Sequence, residues 1–244
     1  FKQILLEAKA DMEAQLIPAG HRVVNRRLRA RHTEADWASE QMGGIDYLFF
    51  LRQLIEKVDN NWTSVLDILE GIRSRLLNRQ AMIVNATLDQ KSWQLVQPNL
   101  SAFLERLPDA SYKPAHWQKT TYAAQEGLAI PAQVNYVGKS LDLYQHGYDF
   151  HGSALVIAPY LRGTWLWDKV RVQGGAYGGM CSFDQLSGIF TFLSYRDPNL
   201  AKTIAIYDQS STFLSQIELN DQELTKAIIG AIGDLDAYQL PDAQ

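Results

Sequence analysis

The hydrophobic period changes near residue 80, and that change limits the folds open to this chain more than any other feature. Before it, Trp62, Val65, Leu66, Leu69, Ile72 and Leu76 form a stripe at helical spacing. After it, QAMIVNATL (80–88) is a short apolar run of the length and composition of a buried strand. Helices followed by a strand, then strands and helices mixed, predict an α+β chain with an antiparallel-rich sheet rather than a doubly wound parallel one.

The first 80 residues read as helices separated by identifiable breakers. Ile4, Leu5, Ala8, Met12 and Leu16 mark a helix over 4–16, which Pro18 and Gly20 interrupt. HRVVNRRLRARH (21–32) is a basic helix. Thr33 with Asp36 three residues on predicts a cap for a short third helix, which Gly43-Gly44 ends. A fourth helix follows over 45–58, with Asp59-Asn60-Asn61 as punctuation before the 62–76 stripe.

Beyond the strand at 80–88, a helix over 90–106 is expected to bend or restart at Pro98, which lacks the N–H that a helix interior needs. LPDASYKPAHW (107–117) reads as a linker. Residues 127–141 suggest two short strands broken at Pro131, and 151–171 a mostly buried helix. Two further strands are expected at 175–183 and 187–195, joined near Asp184. The second is apolar on both faces, which places it centrally in a sheet. A helix over 199–217 and a last helix opened by Asn220 and Glu223, a capping-box pair, complete the pattern.

Composition enters as a set of exclusions. A chain of 244 residues with 46% apolar and 20% charged residues is long enough to bury a core. A net charge of −4 does not point to nucleic acid, and no apolar run approaches the roughly 18 residues of a membrane span. The basic helix holds five arginines in twelve residues, but the acidic residues after it offer partners, so a solvated, ion-paired face is the simpler reading. Cys181 is the one cysteine, which rules out an intrachain disulfide and a cysteine-based zinc site. No signal-peptide pattern is present, and a soluble cytoplasmic or organellar compartment is expected. The chain opens at Phe1 within a helix and closes on AYQLPDAQ just after one, as expected of a piece of a longer protein.

Three motifs carry possible chemistry. VGKS (137–140) has the end of a P-loop, but Gln133 stands where the first glycine is required. The histidines His21, His32, His116, His146 and His151 show no HxxEH or HExxH spacing and read as surface or capping residues. The third is RVQGGAYGGMCSFD (171–184). Its glycines have the wrong spacing for a dinucleotide loop. If 175–183 is a strand, Tyr177 shares a face with Gly175 and Gly179, which leaves a groove around its ring. Arg171 and the Tyr177 hydroxyl together could stabilise a developing oxyanion. On composition alone the plainer reading is preferred: a glycine-relieved strand packed against a helix.

RVQGGAYGG, SGIFTFLSYRDPNLAKTIAIYD and LTKAIIGAIGDLDAYQLPDA together resemble the insulinase or pitrilysin family of inverted-motif zinc peptidases, nearest its presequence protease-like branch. The resemblance covers most of the chain and is strongest from about 165 to 244. It implies four similar α+β domains in two halves around a closed chamber. The first half carries the HxxEH zinc site, and the second carries an arginine and a tyrosine that reach the substrate. Residues 1–109 then correspond to the later part of the third domain, and 110–244 to the front of the fourth. Arg171 and Tyr177 stand at the positions of that pair, with Gly174 and Gly175 giving room for the peptide.

The resemblance implies zinc in the full-length enzyme and none in this segment, since no HxxEH occurs in it. The implied partners are a peptide substrate and the N-terminal half of the same chain, with no nucleic acid and no membrane. The segment alone is expected to be inactive and either to self-associate or to pack its halves together. The competing expectation is a non-catalytic scaffold or binding subunit of the same fold.

Overall fold

The computed structural model describes residues 1–111 and 115–236. The closing stretch AYQLPDAQ and part of the expected 107–117 linker lie outside the described residues. The chain divides into two compact units, residues 1–6 with 51–118, and residues 7–50 with 119–244.

The helices of the first half stop and start at the breakers read from the sequence. α1 spans Lys2–Gln15, α2 Gly20–Arg29, α3 Glu34–Gly43, α4 Ile45–Asn60 and α5 Trp62–Leu76. Each capping residue satisfies an N–H that the first turn leaves free. The Thr33 hydroxyl accepts from the Asp36 amide at 3.0 Å, and Asn61 accepts from the Ser64 amide at 3.1 Å. α6, Gln90–Glu105, is capped by Asp89, which accepts from Lys91 and Ser92.

In the first unit one expectation is narrowed, since α6 does not restart at Pro98, and another is corrected. α6 runs through Pro98 without a break. The missing N–H costs one helical bond to the carbonyl of Gln94, which is exposed and open to water. No strand forms over 80–88. A 3₁₀ turn at Arg79–Ala81 is followed by unpaired chain in which Ile83 is 97% exposed. A strand exists only where another strand accepts its hydrogen bonds, and no described residue offers one here. The chain before it is pinned instead by the buried Asn78. Its amide donates to Ala110 O at 2.8 Å, and its oxygen accepts from the amides of Gln80 and Ala110.

The second unit holds the sheet. β1 is Gly138–Asp142, β2 Gly178–Phe183 and β3 Ile189–Tyr195, all antiparallel in the order β1-β3-β2. β3 is central, as its two apolar faces require. The strand expected around 127–130 does not form. The chain after Pro131 makes one bridge, Asn135 with Asp197, before β1 begins. VGKS is accordingly not a loop, because Gly138, Lys139 and Ser140 lie in β1. Asp184 builds the β2–β3 turn by accepting from the Leu186 amide and the Ser187 hydroxyl, and Gly188 closes it at φ +73°.

Helices cover both faces of this sheet. α2 lies on the Leu193 face, and Gly138 lets Val24 and Leu28 approach β1 more closely than a side chain would permit. α7, Ser153–Leu161, continues as a π-helical segment over Arg162–Val172, which together answer the helix expected at 151–171. They pack on the other face with α8, Ala201–Gln216. The core there joins Leu161, Leu166, Val170, Cys181, Ile206 and Tyr207, with Phe192 stacked on Tyr207 at 5.0 Å. α9, Asp221–Leu235, starts at the expected capping box of Asn220 and Glu223.

Burial decides the chemistry of Cys181. Its thiol donates to Ala158 O at 3.1 Å, and burial pushes its pKa up to about 12. Almost no thiolate therefore exists at neutral pH. Alkylating reagents should leave Cys181 unmodified in the folded protein and label it on denaturation, which mass spectrometry of the tryptic peptide reads directly.

The basic helix α2 pairs with the acidic residues after it. Arg27 bonds Glu40 at 3.1 Å, Asp46 at 2.7 Å and both oxygens of Glu126, and its guanidinium lies 4.0 Å from the centre of the Tyr122 ring. The Tyr122 hydroxyl donates to Asp46 at 2.6 Å. Glu40 is fully buried and accepts from the amides of Ile45 and Asp46. Arg29 bonds Asp36 and Asp184 and so ties α2 to the sheet turn.

Candidate functional site

Arg171 comes from the last turn of the π-helical segment and Tyr177 from the residue before β2. The i→i+5 bonding of a π-helix is rare and gathers residues four and five apart onto one side. Trp167 therefore lies beneath Arg171, with the guanidinium carbon 4.1 Å from the indole ring. The same carbon lies 5.8 Å from the Tyr177 ring centre.

Three backbone amides in succession, those of Gly175, Ala176 and Tyr177, hold the link between the two residues. Gly174 ends the segment where any side chain would run into the carbonyl of Val170. Gly175 takes φ +79° and donates its N–H to Arg171 O at 2.9 Å, the single-bond form of a left-handed helix cap. Ala176, which is buried, donates to Val170 O at 3.1 Å, and Tyr177 donates to Tyr195 O at 3.0 Å. From the opposite side, Asn199 donates to Gly174 O at 2.6 Å. Asn199 is itself placed by the buried Asp197, which accepts from the Asn199 amide and the Thr203 hydroxyl. β2 starts only at Gly178, so Gly175, Tyr177 and Gly179 do not share one strand face as the sequence suggested. The tight glycine of the strand is Gly179, whose missing side chain admits Leu166 and Val170.

Tyr177 is 66% exposed, with its ring set edge-on to Tyr195 at 5.7 Å. Tyr195 also touches the rings of His21 at 4.9 Å and Tyr136 at 5.8 Å, and Arg196 lies 5.5 Å from its centre. Burial, with Arg22 beside it, lowers the pKa of His21, so that ring is neutral at pH 7. Neither the Arg171 guanidinium nor the Tyr177 hydroxyl hydrogen-bonds or ion-pairs with any described residue. Two donors thus face outward, on a backbone that is bonded at each step.

Sequence reasoning named Arg171, Tyr177, Gly174 and Gly175, and the structure brings them together in one corner. It missed Trp167, Tyr195 and Arg196. Trp167 was detectable four residues before Arg171 on the same helix. Tyr195 and Arg196 were not, because their place depends on the pairing of Gly178 with Tyr195. No group of three or more histidine, cysteine or acidic side chains gathers as a metal site among the described residues. His151 serves as a local cap, with its Nδ1 accepting from the Ser153 amide at 3.2 Å. Nor is any described helix long and apolar enough to cross a membrane.

Comparison with known proteins gives two family matches and several relatives. The family described as "PreP C-terminal domain" matches residues 125–244, and the family of regions associated with M16 peptidases of subfamily C matches residues 1–54. The chain is 49% identical to Presequence protease 1, chloroplastic/mitochondrial, of Arabidopsis thaliana, over all of this chain and 23% of that protein. It is 29% identical to Protein HypA of Clostridium perfringens, over 96% of this chain and 24% of that protein. It is also 29% identical to the mitochondrial presequence protease of Saccharomyces cerevisiae, over 93% of this chain and 24% of that protein. From the amino-terminal helices to the arginine–tyrosine corner, the chain belongs to the presequence protease-like family of M16 peptidases, and it spans about a quarter of the length of the curated relatives it matches.

Proposed function

We propose that this chain is the C-terminal-half segment of a zinc-dependent endopeptidase that degrades unstructured oligopeptides in an organellar compartment. The observation that carries the reading is the pair of outward donors, Arg171 and the Tyr177 hydroxyl, unpaired among the described residues, on a loop whose backbone is bonded at every step. Groups fixed before the substrate arrives need little reorganisation when charge develops. Residues 1–109 are the later part of the third peptidase-type domain and 110–244 the front of the fourth. Self-association of the isolated segment belongs to the same reading.

The described residues do not suit a zinc ion, which in this proposal is held by the N-terminal half of the chain and supplies an activated water there. This segment's share is derived from its own side chains. Arg171, whose guanidinium carbon lies 4.1 Å from the Trp167 ring, donates its fork of N–H groups to a substrate carbonyl. The Tyr177 hydroxyl donates to the oxygen that becomes negative as the peptide carbonyl is attacked. Gly174 keeps the loop tight against the helix end. Gly175 leaves room for the peptide, since a side chain there would meet only the Pro198 ring at 3.6 Å.

The test is Arg171→Ala in the full-length enzyme. Losing a charged hydrogen bond worth about 1.5–3 kcal/mol should lower kcat/KM roughly 10- to 100-fold. Arg171→Lys keeps the charge without the fork and should recover only part of the loss. Wild-type kcat/KM in Arg171→Ala would refute the assignment.

A further inference from the structure

Arg196 is a non-glycine residue with positive φ, at +50°, the only such case among the described residues. A long side chain in the left-handed region is strained, and such residues concentrate at functional sites. The conformation sits where β3 ends. There the Tyr177 amide approaches two carbonyls, Tyr195 O at 3.0 Å and Arg196 O at 3.4 Å. The strain therefore belongs to the same junction that holds Tyr177.

Arg196 is exposed, forms no ion pair with a described residue, and its guanidinium carbon lies 5.5 Å from the centre of the Tyr195 ring. The adjacent carboxylate, Asp197, is buried and already accepts from Asn199 and Thr203. A row results in which Arg171, the Tyr177 ring, the Tyr195 ring and Arg196 follow one another at 5.8, 5.7 and 5.5 Å. Its ends are two guanidinium groups without carboxylate partners among the described residues, and the one further titratable ring in contact with it besides Tyr136, His21, is neutral at pH 7.

We propose that Arg196 is a specificity-determining residue that binds a carboxylate of the peptide substrate, a few residues away from the carbonyl held by Arg171. This inference rests on the peptidase reading above. Each step between neighbours in the row, 5.5–5.8 Å, matches between one and two residues of extended peptide at about 3.3 Å each. A guanidinium on an open aromatic surface favours a planar carboxylate through its paired N–H groups. The carboxylate can come from an acidic side chain or from the peptide's own C-terminus.

The experiment uses the full-length enzyme and three peptides with a common core. One carries a glutamate at successive positions with an amidated end, one is neutral with a free C-terminus, and one is neutral and amidated. The enzyme should cleave at least one of the first two with kcat/KM about ten-fold above the third, as expected for a charged hydrogen bond. Preference for the first identifies the side chain, and preference for the second identifies the terminus. Arg196→Gly and Arg196→Met should abolish that ratio. Arg196→Gly should also melt no lower than the parent, because glycine accepts this φ without strain.

No preference in the parent enzyme, an unchanged ratio in the variants, or a lower melting temperature for Arg196→Gly would overturn the proposal. The last result would mean that Arg196 serves the fold. Tyr177→Phe separates the two readings, since it should lower kcat while keeping the peptide ratio. If kcat does not change in Tyr177→Phe, the catalytic assignment fails independently of Arg196.

Discussion

Tyr177→Phe should lower kcat of the full-length peptidase about 10²- to 10³-fold, the usual loss on removing one oxyanion donor. The substitution removes only the hydroxyl. The ring keeps its edge-on contact with Tyr195, and the backbone keeps its bond to Tyr195 O. At 66% exposure the hydroxyl contributes little to folding, so the melting temperature should not move. KM should change much less than kcat, because the negative oxygen exists only as the carbonyl is attacked. Steady-state kinetics on a single quenched peptide separates the two constants. A variant with parental kcat would remove Tyr177 from catalysis, whatever its position beside Arg171.

The second large effect is on stability. Arg27→Met should destabilise the second unit by about 3–5 kcal/mol, the range for leaving buried charge without its partner. Among the described residues, Arg27 is the one cation bonded to Glu40, Asp46 and Glu126 together, and Glu40 has no exposure to water. Hydrogen exchange at the amides of Ile45 and Asp46, which donate to Glu40, is the local measurement. Protection equal to the parent's would show that the cluster does not depend on Arg27.

The pH dependence gives an independent check on the sign. Hydrogen bonds from Arg27 hold the Glu126 carboxyl below its usual range. Burial alone would raise the Asp46 carboxyl, but hydrogen bonds from Tyr122, Arg27 and Gln41 outweigh it and leave Asp46 lowered as well. Groups lowered on folding add stability above their unfolded pKa, near about 4, and lose it as the pH falls through the folded value. The parent should therefore weaken below about pH 4. Glu40 runs the other way, since burial raises its carboxyl, and its proton is held more firmly in the folded state. Without Arg27, Glu40 and Asp46 lose their cation, Glu126 keeps only Arg31 at 3.7 Å, and the three carboxylates crowd one another, so the deficit of Arg27→Met should shrink between pH 7 and pH 5. A deficit that grows over that interval would contradict this account.

The helical half of the chain was legible because its signals are local. Thr33, Asn61 and Asn220 cap helices by bonding an amide three residues on, and that bond is written in the sequence spacing. Pro98 does not restart α6, because an exposed helix loses little with one missing bond. Residues 80–88 misled because apolar composition marks only the capacity to enter a sheet. Membership of a sheet also requires a neighbour with free backbone groups, and the described residues supply none. The central position of β3 was readable because two covered faces demand apolar residues on both.

At the candidate site the sequence by itself determined the residue types, namely an arginine, glycines that end a helix, and a tyrosine six residues beyond the arginine. It also determined the acidic partners available to the basic helix. Only the tertiary structure decided that Trp167 supports Arg171, that Tyr195 supports Tyr177, and that Arg196 ends the row. These relations rest on one antiparallel register, Gly178 opposite Tyr195, between strands joined by the turn at 184–188. A register is the outcome of packing two faces at once, against α2 on one side and the π-helical segment and α8 on the other. No local spacing encodes it, so the neighbours of Tyr177 appear only once the sheet is assembled.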